Sequence, residues 1–365
     1  MNPQEQLCPN SECDAKDEAG HITIHSRKER RYKCKACGKT FAETKGTALY
    51  GIKKSHETFI VVVTLLAYGC PVQAIVAAFG LDERTVRSWL EKAGEHCQMV
   101  HEHMMATYAI DLMQVQADEL KVKTQQGTVW MALAMMVSTR FWLGGVVSPK
   151  RDKACLRQIA DMVKQWALCR DILIAVDGWV AYLDVFRKAF RHKVKGRGRG
   201  RPRLVPWPEL HIVQVVKKRT AQSLTVARRI VQGSERRIDQ LIAHSQGHGG
   251  INTSYIERLN GTFRQRLGVL VRRTRCLART PETLTWGMYL VGGVYNFCTY
   301  HTSLRQALYW HNGTVRWVKR TPAMAMGLSE HCWSVHELLT HKVPRPTASS
   351  ASPIPLNPHP YEIAA

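Results

Sequence analysis

The 365-residue chain has 52 Lys and Arg residues against 29 Asp and Glu, which gives a formal net charge of +23. Hydrophobic residues make up 45% of the chain and charged residues 22%, a composition that excludes disorder of the whole chain. A positive excess of this size indicates a polyanionic partner, either nucleic acid or an anionic membrane surface.

The longest apolar stretch, residues 59–81, does not have the pattern of a membrane span. It contains Gly69, Pro71 and Gln73, and its two halves repeat apolar residues at helical spacing, which predicts two short helices. No N-terminal signal pattern precedes it, so we expect no membrane partner and a cytoplasmic, nucleoid-associated protein. Eleven cysteines in such a compartment indicate a metal site and buried thiols rather than disulfides.

The positive charge is concentrated in the middle of the chain. Residues 187–279 contain 23 Lys and Arg against four Asp and Glu. This stretch lies among strand and helix patterns, away from any amphipathic end that could anchor a membrane protein. Its position therefore favours a groove for nucleic acid, where neutralised phosphates dominate the binding affinity.

Two cysteine pairs near the N-terminus have the spacing of a metal site. Cys8 and Cys13 form the first pair, Cys34 and Cys37 form the second, and Gly38 follows where a knuckle turn favours glycine. Four thiolates can surround Zn²⁺ tetrahedrally and leave no open position, which predicts a structural zinc ribbon over residues 1–46. The alternative is two unrelated thiol pairs.

Residues 47–104 predict a helical domain with a helix-turn-helix. Three helices fit residues 55–94, and the last two are joined by Gly80, Leu81 and a capping Asp82. The second helix of such a motif enters the major groove. Its outward-facing candidates for DNA contact are Arg84, Thr85, Arg87 and Ser88. The alternative is an ordinary small helical bundle.

Residues 105–310 alternate strands and helices in the order of a ribonuclease-H-like α/β domain, with helices from the last strand onward. A basic insertion at about 191–209 is too rich in Gly and Pro to form an element, and its Arg199 and Arg201 match an AT-hook core. The alternative is a basic loop that binds phosphates without reading sequence. A C-terminal helical extension over 311–341 and a disordered tail over 342–365 complete the predicted α+β multidomain fold.

Three acidic residues have contexts suited to catalysis. Asp118 lies on the first strand, Asp177 ends a later apolar strand, and Glu257 lies on a following helix. Three such carboxylates can hold two Mg²⁺ or Mn²⁺ ions. The alternatives are strand-end capping for the aspartates and ion pairing with nearby arginines for Glu257. Glu119 could replace Asp118, but strand alternation places the two on opposite faces, so only one is expected to be a ligand.

The helix that carries Glu257 also presents groups for DNA. Arg258, Asn260 and Arg264 are its candidate DNA contacts, since Glu257, Asn260 and Arg264 share one helical face. The alternative is an ordinary amphipathic surface. Trp179 and Trp207 either stack on exposed bases or pack inside the domain.

The order of these motifs resembles that of bacterial DDE transposases of the insertion-sequence-one type. The matching strings are CPNSEC, CKACGKTF, DEL, VDGW, INTSYIERLNGTFR, YNFCTYHTSLR and TPAMAMGL, within residues 5–340. The resemblance implies that Asp118, Asp177 and Glu257 bind divalent metal in a ribonuclease-H-like domain. It also implies binding to terminal inverted repeats and target DNA as a homo-oligomer. The 80 residues between Asp177 and Glu257 exceed the gap in many relatives.

The leading hypothesis is therefore a DNA transposase that cleaves element ends and joins their 3′-hydroxyls to target DNA. The alternative is a non-catalytic DNA-binding regulator or an inactive domesticated transposase, for which the zinc ribbon and helix-turn-helix would suffice. A serine or tyrosine recombinase using Ser254 or Tyr255 would leave the three acids unexplained.

Overall fold

A computed structural model describes residues 1–343 except 5, 17, 109, 169–170, 195–200, 220–222, 272–276 and 310–313. The chain divides into two units, one formed by Met1–Phe59 with Leu339–Ala365 and the other by Ile60–Leu338. Arg199 and residues 344–365 lie outside the described residues, so the AT-hook and tail predictions remain predictions.

The N-terminal unit is built around a three-stranded antiparallel sheet. Its strands, in sheet order, are β1 (Ile22–Ser26), β2 (Arg31–Cys34) and β3 (Thr40–Ala42). Ile22, Tyr32 and Phe41 form its small apolar core together with cysteines of both pairs. A core of this size contributes little stability alone.

Three helices follow, as the sequence predicted: α1 (His56–Ala67), α2 (Val72–Phe79) and α3 (Glu83–Thr107). The backbone N–H of Arg84 donates to Asp82 Oδ1 at 2.7 Å, which confirms the predicted cap. Helix α3 is longer than expected because its buried face continues to Met105.

The larger unit contains a six-stranded mixed sheet of order β11-β10-β7-β4-β5-β6. Its strands are β4 (Gln114–Thr124), β5 (Gly127–Met136), β6 (Trp142–Ser148), β7 (Ile172–Asp177), β10 (Leu210–Arg219) and β11 (Leu224–Gln232). Strands β4, β5 and β6 form an antiparallel meander, whereas β7 runs parallel to both β4 and β10. The carboxyl end of β7 therefore lies beside the middle of β4, and ligands of such sheets bind at the carboxyl ends of strands.

Helices lie on both sides of this sheet. They are α4 (Lys153–Trp166), α5 (Ala181–Ala189), α6 (Glu235–Gln246), α7 (Ser254–Arg266) and α8 (Pro281–Cys298). Ile256, Leu259 and Phe263 of α7 share a core with Leu120 and Val122 of β4, and α6 packs on β7 and β10. Because side chains alternate along a strand, even-numbered residues of β4 face α7, and odd-numbered ones face the layer of α4 and α5.

Helix α8 also contacts α3, and a glycine permits this contact. A Cβ atom added at Gly94 of α3 would lie 2.5 Å from the backbone oxygen of Trp286 in α8. Only glycine allows two helix backbones to approach so closely. Helix α3 therefore packs directly on α8.

The prediction missed several strands. The insertion at 191–209 contains a hairpin of β8 (Arg191–Val194) and β9 (Arg203–Pro206), and β11 was expected to be helical. The C-terminal extension also contains a strand, since β12 (Gln306–Tyr309) pairs with β13 (Val315–Val318) before the short helices α9 (Pro322–Ala325) and α10 (Val335–Thr340). Alternating β-formers such as those of Val315–Val318 form a strand once a partner pairs with them. Among the described residues, no helix is long and apolar enough to cross a membrane.

Candidate functional site

The four predicted cysteines converge. Cys8, Cys13, Cys34 and Cys37, termed the cysteine cluster, have sulfur atoms within 4.8 Å of one another. The Cys8 and Cys37 sulfurs are 3.6 Å apart, and those of Cys13 and Cys34 are 3.7 Å apart. Tetrahedral Zn²⁺ with Zn–S bonds of about 2.3 Å requires sulfurs about 3.8 Å apart, so the arrangement fits this ion.

The backbone favours the thiolate of Cys37, whereas burial raises the pKa of Cys8 to about 12 and also raises that of Cys13. Gly38 has φ +70° and its N–H donates to the Cys34 carbonyl at 3.0 Å, which forms the predicted knuckle turn. A hydrogen bond from the backbone of Lys39 lowers the pKa of Cys37 to about 6. A thiolate at this position is the form that binds metal.

A second group, termed the acid cluster, consists of Asp118, Glu119 and Asp177. One carboxylate oxygen of each lies within 4.8 Å of those of the other two. The pairing of β4 with β7 ends at Gln116 and Ala175, and its register brings Asp118 level with Asp177. Because the strands separate beyond this point, Asp118 and Glu119 reach the same gap from opposite faces. Both carboxylates therefore lie near Asp177, and the expectation that only one of them is a ligand stays a prediction.

Each aspartate of the acid cluster is held by a hydrogen bond. Asp177 Oδ1 accepts the backbone N–H of Trp179 at 2.9 Å, while its Oδ2 lies 3.6 Å from Arg151 Nη2. Asn260 Nδ2 donates to Asp118 Oδ2 at 2.7 Å. Asp177 therefore caps the end of its strand, as the alternative interpretation expected. One of its carboxylate oxygens nevertheless belongs to the acid cluster.

Glu119 is the most enclosed member, with a side chain only 3% exposed. Arg151 pairs with its Oε1, and the hydroxyl of Tyr182 donates to its Oε2. Burial raises the pKa of Tyr182, so this hydroxyl remains a proton donor. The Arg151 guanidinium also lies 4.3 Å from the ring centre of Trp179. The ring of Trp179 therefore helps to hold the Arg151 guanidinium in place beside Glu119.

The acids repel one another. Burial, together with the charges of Glu119, Asp177 and Glu257, raises the pKa of Asp118 to about 7. A carboxylate held in this way gains from a bound cation, which is typical of metal and catalytic sites.

This pKa predicts how stability changes with pH when no divalent metal is added. The folded pKa of Asp118 exceeds the unfolded value of about 3.9, so the folded state loses stability as pH rises from about 4 to 7. Asp118→Asn cannot ionise and still accepts from Asn260. We expect the variant to match the wild type near pH 4 and to exceed its unfolding free energy by roughly 4 kcal/mol at pH 8, because each pH unit between about 4 and 7 costs the wild type about 1.4 kcal/mol.

Urea denaturation between pH 5.5 and 8.5 measures this difference. Asp161→Asn, at an exposed position of α4, is the matched control and should leave the pH dependence unchanged. Parallel curves for Asp118→Asn and the wild type would show that Asp118 carries no such penalty.

Glu257 does not belong to the acid cluster, although its charge acts on Asp118. It is exposed at the start of α7, where it accepts from Thr253 Oγ1 at 2.8 Å and pairs with Lys217 of β10. Glu257 is therefore ion-paired, as the alternative interpretation expected, but its partner is Lys217 and not a neighbouring arginine.

A buried glutamine that the sequence analysis missed joins α7 to β4. Gln116 Oε1 accepts the backbone N–H groups of Tyr255 and Ile256 at 3.1 and 3.0 Å, and its Nε2 donates to the Asn252 carbonyl at 2.8 Å. Gln116 therefore fixes the helix of Glu257 and Asn260 against the strand of Asp118. The sequence did contain a signal for this role, because polar residues alternate along the strand at Gln114, Gln116 and Asp118.

We predict that Gln116→Ala lowers the unfolding free energy by about 2–3 kcal/mol, because two N–H groups of α7 lose their acceptor. Urea denaturation measures this loss. Gln126→Ala, in the exposed turn after β4, is the control and should change stability by less than about 0.5 kcal/mol. Equal stability of the two variants would refute the bridging role.

The candidate DNA contacts differ in accessibility. Arg84 and Ser88 are exposed on α3, whereas Thr85 is half-buried and Arg87 pairs with Glu83. Arg201 and Arg258 are exposed, and Arg264 is half-buried. Burial corrects the prediction for Asn260 and decides between the two alternatives for Trp207.

Asn260, 1% exposed, contacts Asp118 and cannot contact DNA. Trp207, 3% exposed, packs against Phe190 and cannot stack on a base.

No protein-family model and no curated protein match this chain. Among solved structures, the piggyBac transposase synaptic complex with hairpin DNA is similar at a TM-score of 0.32 and 9% sequence identity. The alignment covers 66% of this chain and spans 65% of the length of that chain. A TM-score this low does not define a shared fold, so the functional conclusion depends on the residues described above.

Proposed function

We propose that this protein is a DNA transposase of the DDE type, which cleaves DNA and transfers 3′-hydroxyl ends to target DNA. The observation that supports the proposal best is the acid cluster, which lies where the carboxyl end of β7 adjoins the middle of β4. The order of three antiparallel strands, helix, parallel strand, helix and parallel strand supports a ribonuclease-H-like catalytic domain. The high positive charge supports DNA as the substrate.

Divalent metal is required by this proposal. Mg²⁺ or Mn²⁺ supplies activation of a water or 3′-hydroxyl and neutralises charge at phosphorus. Asp118 and Asp177 are the proposed ligands, because each directs an oxygen into the gap between β4 and β7. Carboxylate oxygens are the donors that these hard cations prefer, and the raised pKa of Asp118 fits the same conclusion.

Glu257 and Glu119 differ as the third acid. Both oxygens of Glu119 already accept strong bonds, from Arg151 and Tyr182. Glu257 is exposed, and its cationic partner is a single lysine on a flexible stem. We therefore propose Glu257 as the third ligand and assign Glu119 the role of positioning Arg151 beside Asp177.

The remaining groups fit binding of duplex DNA. We propose that the cysteine cluster holds structural Zn²⁺, and that the exposed Arg84 and Ser88 of α3, with Thr85 and Arg87, contact element ends. Arg201, Arg258 and Arg264 then contribute phosphate contacts. A homo-oligomer that pairs two ends on DNA completes the proposal.

Nicking of supercoiled plasmid tests whether the chain is an enzyme. We expect open-circular product with Mg²⁺ or Mn²⁺ and none without added metal. Tight duplex binding with no nicking under either metal would instead support the non-catalytic regulator.

A further inference from the structure

A basic groove lies apart from the acid cluster, on another side of α7. It consists of two adjoining clefts of about 820 and 590 Å³, which share Arg258, His301 and Ser303. The larger cleft also contains Arg140 and Arg266. In the described part of the chain, no Asp or Glu lines either cleft.

The larger cleft contains cations without carboxylate partners. Arg140 and Arg266 are half-buried, and burial lowers the pKa of both guanidinium groups and of the His301 imidazole. Within the described ranges, neither arginine forms an ion pair with an Asp or Glu. Partly buried cations are costly unless an anion compensates them, so this cleft suits an anionic ligand.

Both guanidinium groups are held in position. The Arg140 guanidinium lies 4.0 Å from the ring centre of Tyr255 and donates to the Val137 carbonyl, while the hydroxyl of Tyr295 donates to the backbone carbonyl of Arg140 at 3.0 Å. Arg266 donates to Thr299 Oγ1 at 3.3 Å and lies 4.6 Å from the ring centre of Tyr68. Rings, a carbonyl and a hydroxyl hold these groups without neutralising them.

The backbone of Arg140 adopts a left-handed conformation, as do those of Arg30 and Met113. It occupies the turn between β5 and β6 with φ +58°, a conformation that favours glycine or asparagine. A non-glycine residue in this region costs of order 1–2 kcal/mol. The Arg140 side chain lines the larger cleft from this turn.

The smaller cleft adds exposed aromatic rings. Tyr300 and Trp317 line it, and each is 51% exposed. The Arg305 guanidinium lies 4.2 Å from the ring centre of Trp317, and Lys319 lies 6.0 Å from that of Tyr300. Cations beside accessible rings suit a chain that carries both phosphates and flat bases.

We propose that this basic groove binds single-stranded nucleic acid. Arg258, Arg140 and Arg266 contact successive phosphates, and bases stack on Trp317 and Tyr300. A duplex fits less well, because its bases stack on one another and leave no face for the rings. The proposal goes beyond the proposed transposase activity, since no residue of the acid cluster lines the groove.

Fluorescence anisotropy of the full-length protein tests the proposal, with labelled dT15 and a 15-base-pair duplex as probes and no added Mg²⁺ or Mn²⁺. We expect Trp317→Ala and Arg266→Ala each to weaken dT15 binding about 10-fold, since one stacked base contributes about 1–3 kcal/mol and Arg266 is a cation of the larger cleft with no assigned duplex contact. Duplex binding should change less than about twofold. Trp317→Phe retains a ring and should restore most of the dT15 affinity.

The controls separate the groove from general charge and from folding. Tyr108→Ala removes an exposed ring elsewhere, Arg157→Ala removes an exposed cation of α4, and both should bind dT15 like the wild type. Trp317 is half exposed, so its substitution should leave the unfolding transition unchanged. An unchanged dT15 affinity in Trp317→Ala, or an equal loss for dT15 and duplex, would overturn the proposal.

Further measurements identify the ligand and distinguish the basic groove from the proposed transposase activity. Labelled rU15 in place of dT15 shows whether DNA or RNA is preferred, and either result retains the single-stranded class. Poly-glutamate that displaces dT15 at equal charge concentration would show a general anion site and overturn it. Plasmid nicking reports only on the acid cluster, so normal nicking with no groove binding refutes the groove alone.

Discussion

Asp177→Asn should abolish DNA cleavage, with nicking reduced by at least about 10³-fold, or about 4 kcal/mol of transition-state stabilisation. The substitution keeps an oxygen that can accept from the Trp179 backbone N–H, so the strand end stays capped. It removes the negative charge that Asp177 contributes beside Asp118. The loss should therefore appear in the rate of the chemical step rather than in folding or duplex binding.

The matched control for this experiment is Asp161→Asn, which changes an exposed carboxylate of α4. Plasmid nicking under Mg²⁺ and Mn²⁺, duplex affinity and thermal unfolding should be compared for both variants. Asp161→Asn should retain full activity. More than about a tenth of wild-type nicking in Asp177→Asn would remove this residue from the proposed metal site.

Cys34→Ser should release bound zinc and unfold the N-terminal unit. Cys34 is fully buried, and its sulfur lies 3.7 Å from that of Cys13. The apolar core around Tyr32 is too small to fold the unit alone. Zinc binding in small sites contributes about 10–16 kcal/mol, so the loss of one ligand should exceed the stability of the unit.

Zinc content per chain and limited proteolysis of the purified protein measure this effect. The wild type should contain one zinc per chain, and Cys34→Ser should contain none and be cut rapidly within its first 50 residues. Cys70→Ser lies outside the cysteine cluster and should behave like the wild type. One tightly bound zinc in Cys34→Ser would show that the cluster is not the site.

Local sequence patterns predicted the elements that position the acids. Strands β4 and β7 and helices α4, α5 and α7 follow from apolar periodicity, and Asp177 ends β7 as expected. Strands β11, β12 and β13 were missed because each is defined by its antiparallel partner rather than by its own composition.

Tertiary contacts determine the rest of the site. Alternation correctly places Asp118 and Glu119 on opposite faces, but it cannot show that β4 and β7 separate after Gln116 and let both carboxylates meet. The sequence also does not show how much of a helical face is buried. Asn260 was therefore expected to contact DNA, whereas in the structure it donates a hydrogen bond to Asp118. Arg140, Arg258 and His301 are distant in sequence, and only the fold brings them into one groove.

Strand transfer tests the central claim most directly. A labelled duplex from the DNA that flanks the reading frame is incubated with protein, Mg²⁺ and a supercoiled plasmid, and Asp177→Asn serves as the control. We expect the labelled 3′ end to become joined to plasmid DNA by the wild type alone. Specific binding of the duplex with no joined product under Mg²⁺ or Mn²⁺ would contradict the transposase assignment.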